Sequence, residues 1–225
     1  MRMLHLTDLH GVRRFYSWIS KELKRASYDA LVISGDLLNA KIVKFPWTHI
    51  SWIADWSASL PADLPTFLVS GKHDVDPTHP ILSEGKWLRL LKRDNIFTDG
   101  DAVELGGYCF ECVGSGGFPK AKSPNPKIVI SHIPPRKMLE AEEHGSPDVS
   151  RRILRSPANT RLVLCGHIYK PKPWISVGFP TILNPGSDRK ASQPNYIVVD
   201  TNAETACRYE LGQTQTVSFG MLDKL

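Results

Sequence analysis

Five short apolar runs along this chain each end in an aspartate or a histidine, and that recurrence most restricts what the chain can become. Met3-Leu4-His5-Leu6 leads into Asp8-Leu9-His10-Gly11, and Ala30-Leu31-Val32-Ile33 into Gly35-Asp36. Thr66-Phe67-Leu68-Val69 leads into Gly71-Lys72-His73-Asp74, Lys127-Ile128-Val129-Ile130 into Ser131-His132, and Arg161-Leu162-Val163-Leu164-Cys165 into Gly166-His167. Runs this short and apolar read as strands buried on both faces. Open α/β sheets gather their ligands just past strand ends. One aspartate there is usually a helix cap. Polar groups after five successive strands are costly at a sheet edge unless they are paired or hold a metal, so the pattern favours a metal site. If the backbone stays extended through Asp8 and His10, their side chains leave on one face and converge.

Between the runs the periodicity changes. Phe15, Trp18, Ile19 and Leu23 predict a helix over residues 15–26, and further helices are expected within 47–59, 81–91 and 147–155. The first half is therefore a β-α-β-α-β series, which favours parallel strands with right-handed crossovers. Gly106-Gly107 joins two strand-like runs as a hairpin, and residues 114–126 read as a loop. A short helix is allowed within 133–146. The tail from 174 to 219 is strand-rich, with Asn184-Pro185-Gly186-Ser187 as a tight turn. No linker or repeat divides the chain, so one domain over residues 1–225 is expected.

Four cysteines are too few for a disulfide framework in 225 residues. Cys109 and Cys112 sit three apart on a predicted strand and face opposite ways, so all four are read as buried small hydrophobes. No apolar run approaches the roughly 20 residues that span a bilayer, and His5, Asp8 and His10 interrupt any signal-peptide pattern; a cytoplasmic protein is expected. The net charge of +5 suits a phosphorylated partner. Nucleic acid is a weaker expectation, resting on Lys120, Lys122, Lys127, Arg136 and Lys137. Arg13, Arg14 and Lys170 lie near the motifs and are expected to be solvated.

The candidate ligands are carboxylates and imidazoles without thiolates, a set that suits Mn, Fe or Zn. A carboxylate such as Asp36 bridges two ions, and an ion pair holds a phosphoryl group and a hydroxide for in-line attack. His73 is placed to protonate a leaving oxygen, with Asp74 either setting its tautomer or acting as a cap.

Taken in order, the blocks Asp8-Leu9-His10, Gly35-Asp36, Gly71-Lys72-His73-Asp74, Ser131-His132 and Gly166-His167-Ile168-Tyr169 resemble those of the calcineurin-like metallophosphoesterases, and Asn184-Pro185-Gly186-Ser187 resembles the turn that often follows them. The resemblance covers nearly the whole chain. It implies an α/β fold, a four-layer α-β-β-α sandwich with two mixed β-sheets. It also implies one or two divalent ions, the first held by Asp8, His10 and Asp36 and the second by Asp36, His132 and His167, with His73 at the scissile phosphate. Two positions depart from the family pattern. Lys72 stands at a second-metal asparagine and Tyr169 at a first-metal histidine. The expected activity is hydrolysis of a phosphomonoester or phosphodiester of a small, nucleotide-like substrate. The alternatives are a degenerate member acting as a binding or scaffold module, and a nuclease.

Overall fold

The computed structural model describes residues 1–39, 46–115, 117–119, 123–136, 145–154, 159–178 and 180–219. Its strands are β1 (Arg2–Leu6), β2 (Ala30–Ile33), β3 (Thr66–Leu68), β4 (Ile96–Phe97), β5 (Ala102–Leu105), β6 (Tyr108–Val113), β7 (Lys127–Ser131), β8 (Thr160–Leu164), β9 (Ile175–Ser176), β10 (Thr181–Leu183), β11 (Tyr196–Asp200), β12 (Thr205–Glu210) and β13 (Gln213–Ser218). The helices are α1 (Arg13–Arg25), α2 (Pro46–Ala58) and α3 (Pro147–Leu154), with a 3-10 segment at Ser83–Leu91. No helix among the described residues is long and apolar enough to cross a membrane.

Two mixed sheets form. The seven-stranded one runs β13-β12-β11-β1-β2-β3-β4, and the six-stranded one β5-β6-β7-β8-β10-β9. The parallel strands of the predicted series, β1, β2 and β3, lie side by side, and β4, a short strand outside that series, adds in parallel at the edge. The tail then returns, and β11 pairs antiparallel with β1.

Alternation along each strand sorts side chains into layers. Leu4, Leu6, Leu31 and Ile33 join Phe15 and Ile19 of α1 and Ile50 and Ile53 of α2 in one core. Met3, Val32, Phe67, Phe110, Ile128, Leu162 and Ile197 fill the space between the sheets, where Phe67 stacks on Phe110 with centroids 4.5 Å apart. Val129, Val163 and Ile182 meet Val149 of α3 on the outer face of the second sheet. The order is helix, sheet, sheet, helix.

Three expectations change. The segment expected as a helix over 81–91 is a 3-10 stretch broken at Glu84 (φ 56°) and Gly85 (φ 68°). The break lets Trp87 drop into the core, where its indole N–H donates to the Asp74 carbonyl at 3.0 Å. The turn at Asn184-Pro185-Gly186-Ser187 lies between two tail strands as expected, and it carries the chain from β10 in one sheet to β11 in the other. Cys207 is half-buried rather than buried and accepts a hydrogen bond from the Thr216 hydroxyl at 3.0 Å. Arg14 does more than meet solvent, because its Nε donates to the Ala191 carbonyl at 2.8 Å and its Nη2 to the Arg189 carbonyl. The short helix allowed within 133–146 falls mostly outside the described residues.

Candidate metal centre

The loops after β1 and β2 zip together through their backbones. The amides of Asp8, His10 and Gly11 donate to the carbonyls of Gly35, Asp36 and Leu37 at 3.0, 2.8 and 2.7 Å. The backbone is not extended there. Asp8 (φ 54°), His10 (φ 49°), Asp36 (φ 53°) and His167 (φ 69°) adopt left-handed conformations, which cost free energy for residues with a Cβ and gather at functional sites. Convergence of Asp8 and His10 comes from these turns and not from strand alternation.

Asp36 lies at the middle. His10 Nε2 is 3.8 Å from its Oδ2 and 3.7 Å from Asp8 Oδ1, and His132 Nε2 is 3.3 Å from Asp36 Oδ2. Two groups of potential ligand atoms result, each within 4.8 Å of one another: His10, Asp36 and His73, and Asp8, Asp36 and His132. His167 stands beside the second group, its ring centroid 5.2 Å from that of His132, and its backbone amide donates to Asp8 Oδ2 at 3.0 Å. Two glycines make this closeness available, since a Cβ at Gly71 would overlap Asp36 and one at Gly166 would overlap Thr7 and Asp8.

Outer contacts aim these groups. Thr7 Oγ1 donates to Asp8 Oδ2 at 2.8 Å, and the His73 amide to Asp36 Oδ1 at 2.7 Å. His132 Nδ1 sits 3.0 Å from the Ser34 carbonyl, which fixes a proton there and turns Nε2 toward Asp36. The Ser187 hydroxyl donates to the Asp8 carbonyl at 3.0 Å. His73 Nδ1 faces Asn39 Oδ1 at 3.2 Å, so Asn39 takes the place that sequence reasoning offered to Asp74. Asp74 instead accepts from the amides of Leu37, Leu38 and Gly71 at 3.1, 2.7 and 2.8 Å, tying two loops together. Asn39, Ser34 and Thr7 carry no motif of their own, and their nearness in sequence to Asp36 and Asp8 was the one available signal; Ser187 closes the Asn-Pro-Gly-Ser turn that the resemblance singled out.

Burial sets the electrostatics. It pushes Asp8 up to about 6, against the pull of His132, and lowers His10 to about 4. His132 is lowered by burial but raised further by the charges of Asp36 and Asp8, to about 9. Asp36 is raised by burial, but His132, the His73 amide and His10 together lower it further, so it stays ionised. Burial and Asp36 lift Asp74 to about 8 against its three amide donors.

The two departing positions behave differently. Tyr169 lies with its hydroxyl 2.9 Å from His10 Nε2 and the Arg189 guanidinium 5.7 Å from its ring. Burial and the charges of Asp8 and Asp36 raise its pKa. The phenol therefore keeps its proton and donates it to the neutral imidazole. Lys72 is exposed and lines a cavity together with Gly71 and His132. Lys120, Lys122 and Lys137, the lysines behind the nucleic-acid expectation, lie outside the described residues.

The family model described as calcineurin-like phosphoesterase matches residues 1–171. The chain belongs to the calcineurin-like phosphoesterases. Among solved structures, a Thermus thermophilus protein is 17% identical over 97% of this chain and 98% of its own, with a TM-score of 0.59. An archaeal phosphodiesterase is 13% identical, with 96% and 99% covered and a TM-score of 0.55. A Plasmodium protein described as the anchor in the inner membrane complex is 13% identical, with 97% and 89% covered and a TM-score of 0.58. At these identities the likeness is one of fold. No curated protein matches the chain significantly. As a calcineurin-like phosphoesterase, the chain belongs to a family that works with divalent metal ions on phosphorylated substrates.

Proposed function

We propose that this chain hydrolyses a small phosphomonoester or phosphodiester with one or two divalent ions bound around Asp36. The observation that carries this reading is the gathering of Asp8, His10, Asp36, His73 and His132 into two groups that share Asp36, with Asp8 Oδ1 buried without a hydrogen-bond partner and His132 Nε2 buried with only the Asp36 carboxylate before it. Buried polar atoms without partners are costly, and a cation between them would satisfy both. The donor set fits Mn, Fe or Zn. Asp8, His10 and Asp36 would hold a first ion, and Asp36, His132 and His167 a second. Such ions polarise the phosphoryl group and make a water acidic enough to attack at neutral pH.

The protein's own groups do the remaining work. Asp36, ionised and central, serves both positions. The Ser34 carbonyl keeps His132 in the tautomer that offers Nε2. His73, oriented at Nδ1 by Asn39, protonates the leaving oxygen from Nε2. Asp74 holds the loops of Asp36 and His73 in register. The whole chain, residues 1–225, is read as one metallophosphoesterase domain. Hydrolysis of bis-p-nitrophenyl phosphate with added Mn tests the reading: activity is expected, and Asp36→Ala should abolish it. Activity that survives this change would refute the mechanism.

One contact favours a second reading, a binding module with impaired metal binding. The Tyr169 hydroxyl already holds His10 Nε2, and the fold is shared with the Plasmodium anchor protein. If this reading is right, Lys72→Asn together with Tyr169→His raises metal content and turnover. If neither moves, the two departures are immaterial.

A further inference from the structure

Beside His132 and Gly71 opens a cavity of about 590 Å³, a size ordinary for sites that enclose organic ligands. It lies on the Lys72 side of the centre, where β6 and β7 end and α3 begins. Val75, Val113, Phe118, Ile133 and Val149 give it apolar walls.

Its polar groups are largely committed to the protein. Ser70 Oγ donates to Asp99 Oδ2 at 2.6 Å and accepts from the Ser115 amide at 2.8 Å. Ser131 Oγ donates to the Ile133 carbonyl at 3.0 Å. Ser146 Oγ accepts from the Val149 amide at 3.2 Å, and Asp148 is paired with Arg151. Lys72 is the one lysine or arginine among the described residues that line the cavity. Among the described lining residues a polyhydroxylated ligand would find few uncommitted side-chain partners, and a buried hydroxyl without a partner is disfavoured. An apolar ring needs only the walls, and an anionic group attached to it would find Lys72 and the metal centre at the shared boundary.

We propose that this cavity seats an aromatic group esterified to the phosphoryl group, so that the chain selects aryl phosphoesters over those of small alcohols. The proposal rests on the phosphoesterase reading of the centre and adds to it the chemistry of the organic arm. The cavity gives the arm a fixed place next to His132, and its apolar walls supply affinity that a methyl ester cannot draw on.

Calorimetric titration of the full chain with Mn present, using inorganic phosphate, methylphosphonate and phenylphosphonate, separates the two levels. Phenylphosphonate should bind roughly ten- to a hundredfold more tightly than methylphosphonate. Phe118→Ala, which removes a wall, and Val75→Trp, which narrows the space, should each cut that ratio to about threefold or less and leave methylphosphonate within about twofold. A ratio near one in the unmodified protein, or a ratio that persists in both variants, would overturn the cavity assignment and leave the centre intact. Failure of all three anions to bind would overturn the phosphoesterase reading and the cavity assignment with it.

Discussion

On one flank of Asp36, His10 Nε2 accepts a hydrogen bond from Tyr169; on the other, His132 Nε2 faces the carboxylate itself at 3.3 Å in a charge pair. Both flanks use an imidazole and a shared aspartate, yet one imidazole is kept neutral beside a phenol and the other is kept protonated by the carboxylates. The phenol on the first flank stands where the family resemblance expects a histidine. The pair teaches that one phenol can satisfy an imidazole from within the protein while its counterpart across Asp36 is met only by carboxylates.

The largest expected effect removes what the flanks share. Asp36→Asn should lower phosphoester hydrolysis by about a thousandfold or more, since the charge that holds the ions is gone; steady-state rates with Mn, read beside elemental analysis, check this. Next, His73→Gln should slow turnover by roughly 10²- to 10⁴-fold for substrates with poor leaving groups and leave metal content unchanged. A fall in both would make His73 a ligand and not a proton donor.

Two smaller effects sharpen the contrast. Tyr169→Phe leaves His10 Nε2 buried and unpaired, so the metal-free protein should lose about 1–3 kcal/mol, and added Mn should restore stability more than it does in the unmodified protein. Chemical denaturation with and without Mn provides the measurement. On the opposite flank, His132 holds its proton up to about pH 9 in the fold, against 6.5 when unfolded. Below pH 6.5 both states carry the proton and the stabilisation is complete. Between 6.5 and 9 only the folded state carries it, so that contribution fades as pH rises through this window, by a few kcal/mol at most. A bound cation replaces the proton, and the decline should flatten with Mn present.

Much of this was legible in the chain, for definite reasons. Ala30–Ile33 and the Leu162–Leu164 part of β8 are buried on both faces, and burial on both faces writes an unbroken apolar run. Asp8, His10, Asp36 and His132 were found because they follow such runs. What stayed hidden depends on contacts between distant segments. Nothing local says that β11 closes on β1, that Asn39 will meet His73, or that the Tyr169 hydroxyl will reach His10. The break at Glu84–Gly85 was masked because Trp87, Leu88 and Leu91 keep helical spacing just beyond it.

The left-handed turns at Asp8, His10, Asp36 and His167 have a consequence for how this region can vary. Among residues with a Cβ, aspartate, asparagine and histidine enter that conformation most readily, and β-branched ones resist it. At these four places the main chain itself filters replacements, whatever their role in chemistry. A valine at Asp36 would combine lost charge with a twisted backbone, whereas asparagine isolates the charge. Drift in this corner of the molecule is thereby steered toward side chains that still carry oxygen or nitrogen.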